Sequence, residues 1–379
     1  MKLTTAGESH GKALVAILEG LPAHLRVDIE QINRELALRQ QGYGRGGRQK
    51  IESDQVEILT GVRNGETLGS PVTLCIYNKD YQNWAAAMAP ETCDESKMQA
   101  KALTKVRPGH ADLTGVLKYA QEDARNILER ASARETAIRV AAGSVYKQLL
   151  SVLGVEIAGY VKEICGVKDT GTYAFNELVR AKETATGMLD TQAEALAMQT
   201  IDALKKDGDT AGGVVEVRVH GLKSGFGNVM TYHEKLDACL AKELMSIQAV
   251  KGVEVGAGFD VAHVSGKNIH DEIFYDESKG YYRESNRAGG IEGGMSNGEE
   301  IVVRVAMKPI PTLMRGLKTV DVATGEQTVA APERSDVCAI FALERIVEAA
   351  VARVIAQAVQ TRLGGDTVEQ MQQRYALLP

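Results

Sequence analysis

Apolar residues recur every three or four positions in several stretches of the chain and every second position in others. Asp28 to Gln40 (DIEQINRELALRQ) places Ile29, Ile32 and Leu36 on one face, with Asp28 set to cap it. This predicts a helix that stops in QQGYGRGGR. Ser132 to Leu153 is Ala-rich, with Ile138, Ala142, Val145 and Leu149 spaced for one buried face, and Gly154 ends it. Ala193 to Lys206 and His233 to Gln248 also read as helices. Val337 to Arg362 predicts a long amphipathic helix, with Ile340, Leu343, Val347, Val351, Val354 and Ala358 along one side. Gly213 to Leu222 alternates apolar and polar residues, as a half-exposed strand does. Pro71 to Tyr77, Val155 to Ile164 and Ile301 to Met307 are further strand candidates, and Asn78 to Ser96 reads as a loop.

Helices and alternating strands are thus interleaved throughout. The pattern predicts an α+β protein with helices packed on antiparallel sheets, and the alternation argues against a fully buried parallel sheet. The length of 379 residues allows roughly two to three domains or one large one. With no low-complexity linker and no repeat in view, one integrated domain over 1–379 is expected.

Composition narrows the function. Net charge is −6, which speaks against a dedicated nucleic-acid binder. No apolar run approaches the length of a membrane span. The run ALVAIL near the N-terminus is preceded by Glu8, His10 and Lys12 and is not expected to be a signal peptide. The scattered cysteines Cys75, Cys93, Cys165, Cys239 and Cys338 form no C-x-x-C pair, so reduced thiols are expected rather than disulfides or a Cys-rich zinc site. Glycine supplies 38 residues, which implies special turns and close approach of backbone to a ligand.

Two short motifs fail on context. Gly7-Glu8-Ser9-His10-Gly11 fits the serine-hydrolase elbow, but too little chain precedes Ser9 for the strands that fold needs. Gly42-Tyr43-Gly44-Arg45-Gly46-Gly47 fits a dinucleotide fingerprint, yet a helix precedes it and none follows.

The glycine-rich stretch is better read through its charge. From Leu36 to Ile51 it carries Arg39, Arg45, Arg48 and Lys50 and no acidic residue. Arginine forks match carboxylate and phosphate, and glycines let a loop close over a ligand. A solvated basic loop and an RNA-contacting segment are the competing readings. The stretch lacks aromatics beyond Tyr43 and does not repeat. Arg107-Pro108-Gly109-His110-Ala111-Asp112 sets an arginine and a histidine on a rigid turn. Ser132-Ala133-Arg134 sits at a predicted helix start suited to a phosphate. Lys308-Pro309-Ile310-Pro311-Thr312 is a stiff turn, and Arg334-Ser335-Asp336 is expected to open the last helix. His10 and His110, each among glycines and charges, point to acid–base work. The other histidines sit in ordinary element contexts.

These residues carry a resemblance. GESHG at 7–11, E-x-x-S-A-R-x-T from Glu129 to Thr136 and R-S-D-V-C from Arg334 to Cys338 resemble the signatures of the chorismate synthase family. RQQGYGRGGR, RPGHADL, NRAGGIEGGMSNG (Asn286 to Gly298) and KPIPT resemble further blocks in the family's order. One departure is Gly47, where relatives often carry another arginine. The resemblance implies helices sandwiched between antiparallel sheets and assembly as a homotetramer in the cytoplasm. It implies anti-1,4-elimination of phosphate from 5-enolpyruvylshikimate 3-phosphate, with reduced FMN required and no net redox change.

By the same resemblance His10 is the acid that assists the departing phosphate, His110 the partner of the flavin ring, and Asp336 the group that governs the proton at flavin N5. Ser9, Arg39, Arg45, Arg48, Arg107 and Arg134 are implied substrate contacts. Implied FMN contacts are Ser132, Ala133, Arg134, Gln248, Ala249, Gly293, Lys308, Pro309, Ile310, Pro311, Thr312 and Arg334. NADP is also placed by the family at Arg39 and Arg45, against a purely substrate-binding role. The compact length implies reliance on an external flavin reductase, with NADPH only an indirect reductant. The rival functions are a non-catalytic polyanion (RNA) binder and an NADPH-dependent flavin reductase.

Overall fold

The computed structural model describes residues 1–47, 53–278, 280–330 and 335–379. Its first sheet contains β1 (Lys2–Ala6), β2 (Ala13–Glu19), β3 (Glu57–Thr60) and β4 (Val72–Tyr77), in the order β1-β2-β4-β3, every pair antiparallel. The second contains β5 (Glu156–Ile164), β6 (Gly213–His220), β7 (Val250–Val255) and β8 (Ile301–Met307), in the order β7-β8-β6-β5 with the short strand Val167–Lys168 beyond β5, again antiparallel. Alternation sets which face of each sheet is covered. Val215, Val217 and Val219 of β6 and Ile301, Val303 and Val305 of β8 are buried, as are Leu14, Ala16 and Leu18 of β2.

The longer helices among the described residues are α1 (Ile29–Arg39), α2 (Glu95–Lys101), α3 (Asp112–Tyr119), α4 (Arg125–Ala131), α5 (Thr136–Ser151), α6 (Thr191–Asp207), α7 (Leu236–Met245), α8 (Ile340–Leu363) and α9 (Val368–Ala376). Helix α5 packs on β2 and β4 of the first sheet, α8 on β5 and β6 of the second, and the two helices pack on each other. Most positions of both are buried, as expected of helices covered on all sides. Their approach is close: a Cβ on Gly143 would lie 2.2 Å from that of Ala349. A helix layer therefore sits between two antiparallel sheets. Polar groups cross it too. Lys147 pairs with Glu35 at 3.2 Å and with Glu348, while Arg345 pairs with Glu344 and reaches Glu348 at 3.2 Å.

Most expected elements are present with shifted ends. Asp28 does cap α1, accepting from the Gln31 N–H at 3.1 Å. Three readings need correction. Asn78 to Ser96 is not plain loop: helical turns Lys79–Asn83 and Ala85–Met88 lie in it, and Asp94 caps α2. They are too short to show a period. Ser335 and Asp336 do not open the last helix, which begins at Ile340. Ser132 to Glu135 form a tight turn ahead of α5, with Ser132 Oγ accepting from Arg134 N–H at 3.3 Å.

A smaller apolar cluster, built from Leu103, Val106, Val116, Ala124 and Leu128, lies apart from the main core. Helices α3 and α4 belong to it, and Thr104 ties it to Asp321 at 3.0 Å. A cleft opens between this cluster and the sandwich. No helix among the described residues is long and apolar enough to cross a membrane.

Candidate active site

The cleft has a volume of about 530 Å³, the size of pocket that takes a cofactor or small ligand. The turn between β1 and β2 forms one wall. Gly7 has φ +111°, and a Cβ there would meet Ala13 O at 2.3 Å, so only glycine makes this turn. His10 follows. Its backbone N–H donates to Glu129 Oε2 at 2.7 Å, and its Nδ1 lies 2.9 Å from Glu129 Oε1. Glu129 comes from α4 and is almost wholly buried. Burial pushes its carboxyl up, but the hydrogen bonds from His10 and the charge of Arg125 outweigh that and hold it below its ordinary value. A carboxylate on Nδ1 fixes that edge of the ring and leaves Nε2 for the cleft that His10 lines. Ser9 does not form a hydrolase elbow: its N–H donates to Glu129 O at 2.9 Å and its hydroxyl accepts from Ser132 at 3.2 Å.

Guanidiniums form the floor. Arg39, at the end of α1, donates from Nε and Nη2 to Thr136 Oγ1 at 3.0 and 2.9 Å and from Nη2 to Ala133 O at 3.1 Å. Arg134 donates to Asp54 Oδ2 at 2.6 Å and to Asn78 Oδ1 at 3.0 and 2.9 Å. Arg45 pairs with Asp336 at 3.1 Å, and the Gly46 N–H donates to the same carboxylate at 2.6 Å. Burial, with Arg134 and Arg45 nearby, pulls the Arg39 guanidinium down to about 9 despite Asp54 and Asp336. It is still charged at neutral pH, in surroundings that favour an anion.

The opposite wall carries His110. Arg107 donates from its backbone and Nε to Asp112 Oδ2 at 3.1 and 2.8 Å, and from Nη1 to Thr312 at 3.1 Å. His110 Nδ1 meets Asp112 Oδ1 and lies 3.0 Å from Arg107 Nη2. Burial pushes the Asp112 carboxyl up, but His110 and Arg107 hold it far below the usual range. The Lys308 ammonium donates to Gly109 O, and its N–H donates to Ala249 O at 3.0 Å. Ala249 has φ +66°, a strained turn that brings Gln248 and Ala249 to the cleft. Gln248 donates to Glu135 at 3.2 Å, while its buried Oε1 has no hydrogen-bond partner among the described residues.

The cleft thus gathers Ser9, His10, Arg39, Arg45, Arg107, His110, Ser132, Ala133, Arg134, Gln248, Ala249, Lys308, Ile310, Pro311, Thr312 and Asp336. Arg48 and Arg334 lie outside the described residues. Pro309 does not line the cleft, and Gly293 sits at the turn of a separate hairpin, Ile291–Glu292 with Met295–Ser296. Sequence reasoning gave no role to Glu129, Asp112, Asp54, Asn78 or Trp84. Glu129 and Asp112 stood inside quoted motifs. The other three carry no local signal and are brought in by the fold.

Paired histidine–carboxylate couples facing a floor of guanidiniums, in a cleft beside a sandwich of helices between two antiparallel sheets, define an acid–base enzyme of mixed α+β fold that handles anionic substrates. Comparison with known proteins sharpens this. The model of the chorismate synthase family matches residues 1–360. Chorismate synthase from Alkaliphilus metalliredigens (strain QYMF) is 51% identical over 376 residues, covering 99% of this chain and 98% of its own. That from Pelobacter propionicus is 53% identical over 386 residues, covering 99% and 97%. A crystal structure of a chorismate synthase aligns with a TM-score of 0.78 at 39% identity, over 99% of this chain and 96% of the other. The chain belongs to the chorismate synthase family. Its activity is that family's phosphate-lyase reaction in the shikimate route to aromatic amino acids, and the family uses reduced FMN.

Proposed function

We propose that the cleft binds 5-enolpyruvylshikimate 3-phosphate beside reduced FMN and releases chorismate and phosphate by anti-1,4-elimination. One observation carries this reading: His10 on Glu129 and His110 on Asp112 face the same cleft as Arg39, Arg45, Arg107 and Arg134. The residues present fit both molecules. Substrate and flavin bring two carboxylates and two phosphates, and the Arg39 guanidinium is held low by burial among like charges. The unpartnered Gln248 Oε1 and the Lys308–Thr312 turn suit a polar ring system edged by N–H groups. When bound, reduced FMN would supply electron density to the reaction without net redox change.

The chain's own residues do the rest. The guanidiniums anchor the anions and orient the scissile C–O bond. His10 gives a proton from Nε2 to the departing phosphate, with Glu129 holding Nδ1. His110, fixed by Asp112 and Arg107, holds a proton toward the flavin ring. Asp336, oriented by Gly46 and Arg45, would keep flavin N5 in the state needed to take up the substrate's proton as its C–H bond breaks. The walls of the cleft exclude water from the stacked rings.

Arg39 and Arg45 serve here as substrate anchors rather than a NADP site, a choice supported by their place in the same cleft as His10 and His110. NADPH then acts only through an external flavin reductase. The FMN contacts are those of the cleft, with Arg334 and Gly293 as further candidates. The chain works as one domain, since a continuous core joins both sheets. Exposed Phe259, Tyr275 and Tyr281 support assembly as a homotetramer, with the cytoplasm as its compartment.

The test is an anaerobic assay with pre-reduced FMN, alongside one with NADPH and oxidised FMN. Chorismate and phosphate in equal amounts only in the first tube is the expected result. Product in both restores a nucleotide role to Arg39 and Arg45. No product in either, from folded flavin-binding protein, contradicts the reading.

A further inference from the structure

Trp84, the chain's single tryptophan, stands outside the guanidinium cluster yet reaches the acid. Its ring centroid lies 4.0 Å from that of His10, with the two planes 26° apart. The indole is itself fixed. Its Nε1–H donates to Asp80 Oδ2 at 3.1 Å, its backbone N–H donates to Tyr81 O at 2.8 Å, and its carbonyl accepts from Ala87 N–H at 2.8 Å. Cations lie over the ring as well: Lys101 Nζ at 4.2 Å and the Arg125 guanidinium at 5.2 Å. Arg125 also reaches Glu129 at 3.6 Å.

We propose that Trp84 is a positioning residue for the elimination: its indole and the Glu129 carboxylate clamp the His10 imidazole so that Nε2 addresses the leaving phosphate. The proposal rests on the acid role of His10. A hydrogen bond at Nδ1 fixes one ring atom, but χ2 of histidine has a broad well. A stacked face removes that freedom, and a ring held in a near-attack geometry is what acid catalysis needs.

A lone tryptophan makes the clamp directly readable, because its near-UV circular dichroism and emission report how the indole is packed. His10→Gln is expected to shift the emission maximum and weaken the near-UV dichroism of the unliganded enzyme. In turnover with pre-reduced FMN, Trp84→Leu lowers kcat about tenfold with KM within about twofold. Trp84→Phe restores most of the rate, because it keeps a stacked face. An indole signal that is unchanged in His10→Gln overturns the clamp. So does a Trp84→Leu enzyme whose kcat matches wild type. A changed indole signal in His10→Gln with undiminished turnover removes the acid role instead, and with it the reading on which the clamp rests.

Discussion

The Arg134 guanidinium donates through Nε and Nη2 to one acceptor, Asn78 Oδ1, at 3.0 and 2.9 Å. Asn78 turns its amide the other way, onto the carbonyls of Glu8 and Gly11 at 3.2 and 2.8 Å, on either side of His10. One buried side chain just past β4 therefore sets both an anion anchor and the acid's loop. Asn78→Ala is expected to raise KM and lower kcat together, and to cost ~1–3 kcal/mol of stability through unpaired buried groups. Steady-state kinetics and urea unfolding check this. Unchanged kcat/KM would mean that the two parts are set independently.

The carboxylates behind the histidines give the fold an acid limit. Glu129 and Asp112 are both held below their ordinary values of 4.5 and 3.8, burial being outweighed by their hydrogen-bonded partners. A carboxylate lowered on folding stabilises the protein above its unfolded value, and that stability is lost as pH falls through the folded value. The melting-temperature advantage of wild type over Glu129→Gln and Asp112→Asn is thus full near about pH 6 and shrinks below about pH 4. Thermal unfolding across pH measures it. An advantage that stays constant down to about pH 2 would contradict the assignment.

The helix layer depends on a charge it cannot easily lose. Lys147 on α5 bridges Glu35 of α1 and Glu348 of α8, all three largely or wholly buried. Lys147→Met removes the cation that two buried carboxylates share, leaving Glu348 only Arg345 at 3.2 Å and Glu35 only Lys182 at 3.8 Å, and a loss of ~3 kcal/mol is expected. The urea midpoint reads it directly. Wild-type stability in this variant would mean that the carboxylates are neutral in the fold.

How much of this was legible in the sequence depended on distance along the chain. Helices α1 and α8 and strands β6 and β8 showed their periods, because one face of each strand or helix turn repeats within a few residues. Strand β2 did not: Ala13 to Leu18 is apolar at every position, so its buried Leu14, Ala16 and Leu18 could not be told from the alternate residues. The cleft behaved likewise. His10, His110 and the arginines announced themselves through glycines and local charge, and the family resemblance supplied their roles. Two of these pairings were hidden, since Glu129 lies 119 residues from His10, and Asp54 lies 80 from Arg134. Only the packing of α4 against the β1–β2 turn brings the first pair together. Trp84 was hidden twice, in a stretch read as loop and in helical turns too short for a period.

The account turns on His10 as the acid for phosphate departure. The most direct measurement is release of phosphate and chorismate by His10→Ala under anaerobic conditions with pre-reduced FMN, with flavin affinity determined on the same samples. Turnover is predicted to fall by about 10²–10⁴ while flavin affinity stays within about twofold. Turnover at the wild-type rate would contradict the account. So would a loss of turnover that merely follows a loss of flavin binding.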